Sequence, residues 1–281
     1  MCYDISMLIT KLDGESEPFE PRKLYESLLR AGASDSEAHD IVSLIEKKVT
    51  EGMTTTNIYR YALRLLRKMS RAPVAARYSL RRAVLDLGPS GYPFEQLLGE
   101  MFRLKGYNTT VGTTLQGRCI SHEVDIVARK ERELILVEAK FHNAQGFKTD
   151  VKVAMYVYAR MIDLRDNHYD GLCPTGGTCS SWLVTNTKFT ENAIKYGKCT
   201  GMRLIGWGYP NEGNLQNLIE ETKLHPLSCL TTLTQKERES MYQRGYVLCK
   251  DVTEDPNVLE NAGVTGSKVD KVLQEAHRLC I

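Results

Sequence analysis

Two apolar stretches decide the fold of this chain, His122-Glu-Val-Asp-Ile-Val-Ala128 and Leu134-Ile-Leu-Val-Glu-Ala-Lys140. Each has the length and the hydrophobicity of a buried β-strand. Elements of both kinds are predicted around them: helices over residues 94–105, 147–166, 190–196 and 215–222, and strands over 182–185 and 203–207. Strands that alternate with helices in this way predict an α/β core built on a mixed sheet.

Breaks in composition divide the rest of the chain around this core. Gly88-Pro-Ser-Gly-Tyr-Pro93 concentrates residues that interrupt regular structure and marks the strongest boundary. Before it, the pattern predicts a small β-hairpin followed by helices, and after His225-Pro226 it predicts short helices alone. We therefore expect three domains: a mostly helical domain over 1–90, the mixed-sheet α/β core over 91–225 and a helical tail over 226–281.

Composition excludes several classes of protein. Hydrophobic residues make up 42% of the chain and charged residues 26%, a globular balance that excludes wholesale disorder. No apolar run approaches the roughly 18 residues of a membrane span, and the start does not resemble a signal peptide, so no membrane partner is expected. Lys and Arg number 37 against 35 Asp and Glu, so partners must be inferred from how the charge is distributed.

The eight cysteines are scattered and include no Cys-x-x-Cys pair. Cys173 and Cys179, with His168 nearby, form the one cluster in the sequence. Zinc ligands usually come in closer pairs, so free buried thiols are favoured over a metal site there. Reduced cysteines are typical of a cytoplasmic protein, which is the localisation we expect.

Familiar catalytic motifs are missing from the sequence. It contains no Gly-x-x-x-x-Gly-Lys-[Ser/Thr] loop, no complete Gly-x-Gly-x-x-Gly, no Gly-x-Ser-x-Gly and no His-Glu-x-x-His. Their absence removes the easily recognised NTPase, dinucleotide-binding, serine-hydrolase and zinc-protease interpretations.

The acidic residues of the two decisive strands predict a metal site. Glu138-Ala-Lys140 closes an apolar strand, and Asp125 lies 13 residues before Glu138 on the other strand. Side chains two residues apart lie on the same face of a strand, so Glu138 and Lys140 project together. If the strands pair as a hairpin, Asp125 arrives beside Glu138, and two carboxylates this close favour Mg²⁺ between them. The metal would polarise a phosphate, and Lys140 would orient water or stabilise developing charge.

A third acid is expected from the preceding helix. On a helical wheel Glu95 falls about 20° from buried Phe102, whereas Glu100 points away from the core. Glu95 is therefore the candidate that reaches inward and holds the metal's water shell. His122 and His142 flank the acids and are expected to be ordinary hydrogen-bonded histidines.

An alternative interpretation needs no catalysis. Glu138 and Lys140 could lie on a solvated strand edge, with Asp125 in a turn. The second acid, the apolar strand before Glu138 and the flanking helix together favour the catalytic interpretation.

The pattern Phe94-Glu95, Leu104-Lys-Gly-Tyr107, Asp125 and Glu138-x-Lys140 resembles the PD-(D/E)xK nuclease superfamily, and within it the Mrr-like restriction endonucleases. The resemblance implies a restriction-endonuclease-like core that cleaves DNA, double-stranded or branched. Residue by residue, it implies Asp125 and Glu138 as metal ligands, Lys140 as the catalytic lysine and Glu95 as the auxiliary acid.

The first domain resembles the ATP-cone, the nucleotide-sensing domain of ribonucleotide reductases and their repressor. The resemblance rests on Ile9-Thr-Lys-Leu-Asp-Gly14, Pro18-Phe19-Glu20, Lys23-Leu24, Thr55-Thr-Asn-Ile58 and Ala76-Arg-Tyr78. It implies that Lys11 and Lys23 meet the phosphates of ATP or dATP and that Thr55 lies near the nucleotide. Leu12 stands where the family motif has arginine, so one phosphate-binding cation is missing.

The same domain contains a basic segment without acids. Its eight cations are Arg60, Arg64, Arg67, Lys68, Arg71, Arg77, Arg81 and Arg82. The first five are predicted to lie opposite a buried face that includes Ile58, Tyr61, Leu65 and Met69. A stripe of one sign suits a polyanion, DNA or nucleotide phosphate, better than a solvated helix face, which usually mixes signs.

The tail sequence Leu259-x-x-Ala-Gly263-Val-Thr-Gly266-Ser-Lys268-Val269 resembles a helix-hairpin-helix, in which backbone N–H groups hold a DNA phosphate. A plain helical hairpin is the alternative. Taken together, we expect a Mg²⁺-dependent DNA endonuclease that responds to ATP or dATP, and a homodimer because a duplex needs two cuts. The competing hypothesis is a nucleotide-responsive DNA-binding regulator without cleavage activity.

Overall fold

A computed structural model of the chain describes residues 7–11, 14–69, 72–88, 90–144, 146–166 and 172–280. The chain divides into two compact units, Met1–Leu80 and Arg81–Ile281. Across the described residues, no helix combines the length and the apolar character that a membrane span requires.

The first unit combines a small sheet with helices, as the sequence predicts. The strands β1 (Leu8–Thr10) and β2 (Ser16–Pro18) pair antiparallel, and the helices are α1 (Pro21–Arg30), α2 (Asp35–Glu46), α3 (Thr55–Met69) and α4 (Ala72–Leu85), which continues into the second unit. Leu28, Ile41 and Leu66 are fully buried in its core. Met69, predicted to be buried, is 41% exposed because it closes α3 beyond the turn that packs into this core.

The second unit is organised around a mixed sheet. Its strands are β3 (Asn108–Gln116), β4 (Ser121–Lys130), β5 (Glu133–Lys140), β6 (Lys148–Thr149), β7 (Thr178–Thr185), β8 (Lys188–Phe189) and β9 (Arg203–Ile205). Five of them form one sheet in the order β3-β4-β5-β7-β9, antiparallel from β3 to β5 and parallel from β5 to β9. The predicted mixed α/β sheet is confirmed.

The edge strand β3 is an element that the apolar pattern did not indicate. It is rich in threonine, and most of its residues are only partly buried or exposed. The helix α5 (Tyr92–Leu104) packs closely on it: a Cβ at Gly99 would lie 2.6 Å from a methyl carbon of Val111. Glycine at that position lets the helix cover an otherwise polar strand.

Three further helices accompany the sheet: α6 (Val151–Arg165), α7 (Glu191–Thr200) and α8 (Leu215–Thr222). The prediction of one helix over 147–166 was wrong at its start, because residues 148–149 form β6 and pair with β8. Asp150 caps α6 by accepting hydrogen bonds from the N–H groups of Lys152 and Val153. Leu134 and Leu136 of β5 pack against Met161 and Leu164 of α6.

The C-terminal part is helical, as predicted, with α9 (Gln235–Gln243), α10 (Cys249–Glu254), α11 (Asn257–Asn261) and α12 (Ser267–Cys280). Gly263 and Gly266, at φ of 87° and 62°, turn the chain between α11 and α12. Lys268 pairs with Glu237 of α9 at 2.7 Å. The segment is a helical hairpin, and its contact with DNA remains a prediction.

The cysteine prediction is corrected by the structure. Cys173 and Cys179 form a disulfide rather than free thiols, with Cα atoms 5.5 Å apart. The turn between them, closed by a hydrogen bond from the Gly177 N–H to the Pro174 carbonyl, brings the two residues within bonding range. His168 lies outside the described residues.

Candidate active site

Strands β4 and β5 form the hairpin that the metal-site hypothesis requires. Their ladder runs from Lys130 opposite Glu133 to Ile126 opposite Val137. One residue further along each strand stand Asp125 and Glu138. There the Asp125 carboxylate itself accepts a hydrogen bond from the backbone N–H of Ala139, at 2.7 Å. The structure therefore brings Asp125 to the same end of the hairpin as Glu138.

The surroundings of these two carboxylates disfavour their charged forms. Burial raises the pKa of Asp125, although the N–H of Ala139 and the charge of Arg160 act in the opposite direction. Burial, and then repulsion from Asp125, raises the pKa of Glu138. The positive charges and hydrogen-bond donors of the described residues therefore do not fully offset the cost of ionising both carboxylates.

Arg160 of α6 contacts one of the predicted acids, and the sequence pattern did not indicate it. Its guanidinium pairs with Glu138 and donates to the hydroxyl of Tyr156 at 2.8 Å. The Arg160 and Glu138 side chains are 12% and 17% exposed, and the Nε of Arg160 is buried without a partner in the described part of the chain. The available signal was its helical position, because Arg160 shares a face with buried Val157 and Leu164.

Lys140 ends β5, and its ammonium is exposed to solvent. Its charge opposes the raised pKa values of both Asp125 and Glu138, so it lies within electrostatic reach of the acids. Among the described residues it makes no ion pair and no side-chain hydrogen bond. Its backbone carbonyl accepts a hydrogen bond of 2.8 Å from the buried hydroxyl of Thr185. The strand end is therefore fixed while the ammonium is left available to a substrate.

Glu95, in the first turn of α5, lies near the hairpin acids, and Glu100 does not. Burial, and then repulsion from Asp125, Glu123 and Glu138, raises the pKa of Glu95 to about 7. Glu100 instead pairs with Lys250 at 2.6 Å and with Arg103. The role of Glu95 at a metal site stays a prediction. Exposed Glu123 of β4, which also raises the pKa of Glu95, was not among the predicted residues.

The oxygen atoms of Asp125 and Glu138 suit Mg²⁺ as ligands. No group of three or more His, Cys, Asp or Glu residues suited to a metal occurs in the described ranges. Mg²⁺ commonly uses only one or two protein carboxylates and completes its shell with water and substrate phosphate. Within the described structure, Asp125 Oδ1 and Glu138 Oε1 each lack a hydrogen-bond partner, whereas the second oxygen of each is bonded. Two hard oxygens fit a divalent ion of this kind.

The two flanking histidines are hydrogen-bonded, as expected. His122 contacts Asp163 of α6 at 2.8 Å, and Asp163 also accepts from the backbone N–H groups of Cys119 and Ile120. His142 contacts Thr149 at 3.1 Å, and burial lowers its pKa. Neither ring needs a substrate to be satisfied.

The predicted nucleotide-binding residues of the first unit lie close together. Lys11 and Lys23 both contact Glu17, at 3.1 and 3.6 Å, and Lys23 also pairs with Glu20 at 2.8 Å. Thr55 opens α3 directly after Thr54, which bridges to Thr10 of β1. Phosphates at these lysines would replace carboxylate contacts. Positions 12 and 13 of the motif lie outside the described residues.

Three family models match the chain. The ATP cone domain matches residues 7–86, the restriction endonuclease model 88–207, and the model described as AF1548-like, C-terminal, 225–280. An uncharacterized protein of Archaeoglobus fulgidus is 33% identical over 175 residues, which cover 62% of this chain and 94% of that protein.

A similar solved structure is the crystal structure of AF1548, a protein of unknown function. It is 31% identical, has a TM-score of 0.55, and the match covers 68% of this chain and 98% of that one. Identity above 30% over nearly the whole of these relatives establishes the relationship. The chain belongs to the AF1548-like family and carries an ATP-cone domain followed by a restriction endonuclease domain.

Proposed function

We propose that the chain is a Mg²⁺-dependent DNA endonuclease that hydrolyses phosphodiester bonds. The observation that carries the proposal is the end of the β4–β5 hairpin, where Asp125 and Glu138 lie together with raised pKa values. The exposed ammonium of Lys140 is nearby and makes no ion pair within the described ranges. The restriction endonuclease family match supports DNA as the substrate.

The proposed roles follow from the surroundings of each group. Mg²⁺ held by Asp125 and Glu138 would polarise the scissile phosphate and lower the pKa of the attacking water. Lys140 donates to a phosphate oxygen and stabilises the charge that develops there. Glu95, with a pKa of about 7, holds the surrounding water and can accept a proton near neutral pH.

In this proposal the other two domains regulate cleavage and contribute to DNA binding. ATP or dATP binds the ATP-cone domain (1–90) through Lys11, Lys23 and Thr55 and modulates cleavage by the nuclease domain (91–225). The helical tail (226–281) adds a contact to DNA phosphate. A homodimer provides the two active centres that a double-strand cut needs.

A second candidate function is a nucleotide-responsive DNA-binding regulator without cleavage activity. The observation that favours it is the ion pair between Arg160 and Glu138, which neutralises one predicted metal ligand from within the protein.

Cleavage assays separate the two functions. Purified protein is incubated with methylated, unmethylated and branched DNA, with and without Mg²⁺ and with and without ATP. We expect Mg²⁺-dependent cleavage that falls by roughly a thousandfold in Glu138→Ala and about a hundredfold or more in Lys140→Ala, with DNA binding retained. Glu191→Ala and Lys195→Ala, which remove exposed charges of α7, are matched controls that should cleave normally. Undiminished cleavage in Glu138→Ala, or binding without any cleavage in the unmodified protein, would contradict the endonuclease proposal.

A further inference from the structure

We propose that the exposed basic face of α3, in the ATP-cone domain, binds the phosphodiester backbone of DNA. This face consists of Arg60, Arg64, Arg67 and Lys68. It would add a DNA contact to the nuclease site and the proposed contact of the helical tail. Thr55, predicted to lie near the nucleotide, belongs to the same helix but lies about 140° around it from Arg60.

The geometry of α3 places three of these cations in a line. Arg60, Arg64 and Arg67 follow one another at spacings of four and three residues, which is one face of a helix. Ile58, Ala62 and Leu66 project from the opposite face and are buried in the core of the unit. The arginines therefore point away from the core, along roughly 10 Å of helix.

Some cations of the basic segment have partners within the protein. Arg77 donates to the Ala31 carbonyl at 2.9 Å, and Arg82 pairs with Asp86 at 3.0 Å.

By contrast, the four cations of the α3 face have no carboxylate within ion-pair distance among the residues that the structure describes. Like charges at this spacing destabilise an isolated helix. A bound polyanion would remove that cost, so the arrangement is easier to explain by a ligand than by folding.

A linear polyanion fits this face better than a mononucleotide does. Lys11 and Lys23, predicted to hold nucleotide phosphates, contact Glu17. Thr55, the third predicted nucleotide-binding residue, is in the first turn of α3 and not on the face that carries the arginines. A row of arginines along a helix can follow successive phosphates of one strand, whereas a free nucleotide would engage only part of the row. The choice of DNA among polyanions rests on the proposed nuclease function.

The test is a salt titration of DNA binding by the full chain in EDTA, which prevents cleavage. The triple variant Arg60→Gln/Arg64→Gln/Arg67→Gln is compared with Arg22→Gln/Arg30→Gln/Lys47→Gln, which removes three exposed cations from the same unit. Binding to a fluorescent duplex is followed by anisotropy. The α3 variant should bind about ten- to a hundredfold more weakly at low salt, with a slope of log affinity against log salt smaller by about 2 to 3. The control variant should keep the original slope.

Further measurements distinguish the outcomes. Thermal unfolding of both variants checks that α3 still folds, and ATP binding is measured on each. An unchanged slope in the folded α3 variant overturns the proposal, as does absence of DNA binding by the unmodified chain. Loss of ATP binding with DNA affinity intact also overturns it, because the face would then serve the nucleotide. If the α3 variant binds DNA more weakly but the unmodified protein never cleaves DNA, the surface proposal is supported and the nuclease proposal is rejected. If the unmodified protein cleaves DNA and the α3 variant binds DNA normally, the nuclease proposal is supported and the surface proposal is rejected.

Discussion

Two acidic regions of the second unit differ in how their negative charge is compensated. One is Asp163 of α6, and the other is the pair Asp125 and Glu138, which Arg160 of α6 contacts. Asp163 of α6 faces the β3–β4 loop. Desolvation acts to raise its pKa, but hydrogen bonds from His122 and Cys119 outweigh it and lower the pKa to about 2. Asp125 and Glu138 lie at the end of the β4–β5 hairpin, where burial raises the pKa of each. Nearby Glu95 reaches a pKa of about 7.

This difference indicates a structural role for Asp163 and a metal-binding role for Asp125 and Glu138. Asp163 has a full set of donors and fixes the loop to α6, so nothing further is needed there. Asp125 and Glu138 have Arg160 as their one directly paired cation in the described structure, and one oxygen of each carboxylate makes no hydrogen bond there. A cluster with excess negative charge at a strand end is the arrangement in which a divalent ion gains most.

Breaking the Arg160–Glu138 pair should have the largest effect on stability. Arg160→Gln leaves a mostly buried carboxylate without its cation, so the free energy of unfolding in EDTA should fall by about 3 kcal/mol. Mg²⁺ should recover more stability in this variant than in the unmodified protein, as measured by urea denaturation. Arg165→Gln, an exposed position on the same helix, should change stability by about 0.5 kcal/mol or less. Equal stability of Arg160→Gln and the unmodified chain in EDTA would show that the pair contributes nothing.

Glu95→Gln should raise stability, whereas Glu100→Gln on the same helix should lower it. Because folding raises the pKa of Glu95, its contribution to the free energy of unfolding is fully present below the ordinary pKa of 4.5. That contribution is lost as the pH rises through about 7 and the carboxyl ionises in the folded protein. The gain from Glu95→Gln should therefore be near zero at pH 4 and about 1 kcal/mol above pH 7, after allowance for solvent screening. Denaturation in EDTA across this pH range measures it. A stability difference that does not change with pH would show that ionisation of Glu95 is not opposed by burial and by the neighbouring carboxylates.

Asp163→Asn should lower stability in neutral and mildly acidic solution only. Because the pKa of Asp163 is lowered, the stability it contributes is present above the ordinary value of 3.8 and is lost as the pH falls to about 2. The variant should be less stable than the unmodified chain at pH 7, and the difference should disappear in strong acid. Acid unfolding followed by circular dichroism would show it, and a constant difference down to pH 2 would contradict the assignment.

Local periodicity was enough to predict the hairpin and its acids. The apolar runs around Asp125 and Glu138 have strand length, and alternation places Glu138 and Lys140 on one face. The wheel position of Glu95 similarly follows from 3.6 residues per turn. These residues needed only geometry within one element or between two consecutive strands.

Features that depend on contacts between distant elements were missed. Arg160 meets Glu138 across 22 residues, and nothing in the sequence of α6 names its partner. The edge strand β3 lacks an apolar pattern because four of its nine residues are threonine. The Cys173–Cys179 bond depends on a turn that the spacing does not reveal.

The most direct test of the central claim is a titration of the full chain with Mn²⁺, a spectroscopic substitute for Mg²⁺, followed by electron paramagnetic resonance. We predict a single site whose affinity falls by tenfold or more in Asp125→Asn and in Glu138→Gln. Glu133→Gln, at the opposite end of β5, should bind as the unmodified chain does. Equal Mn²⁺ affinity in Asp125→Asn, Glu138→Gln and the unmodified protein would show that these two carboxylates do not share a metal ion.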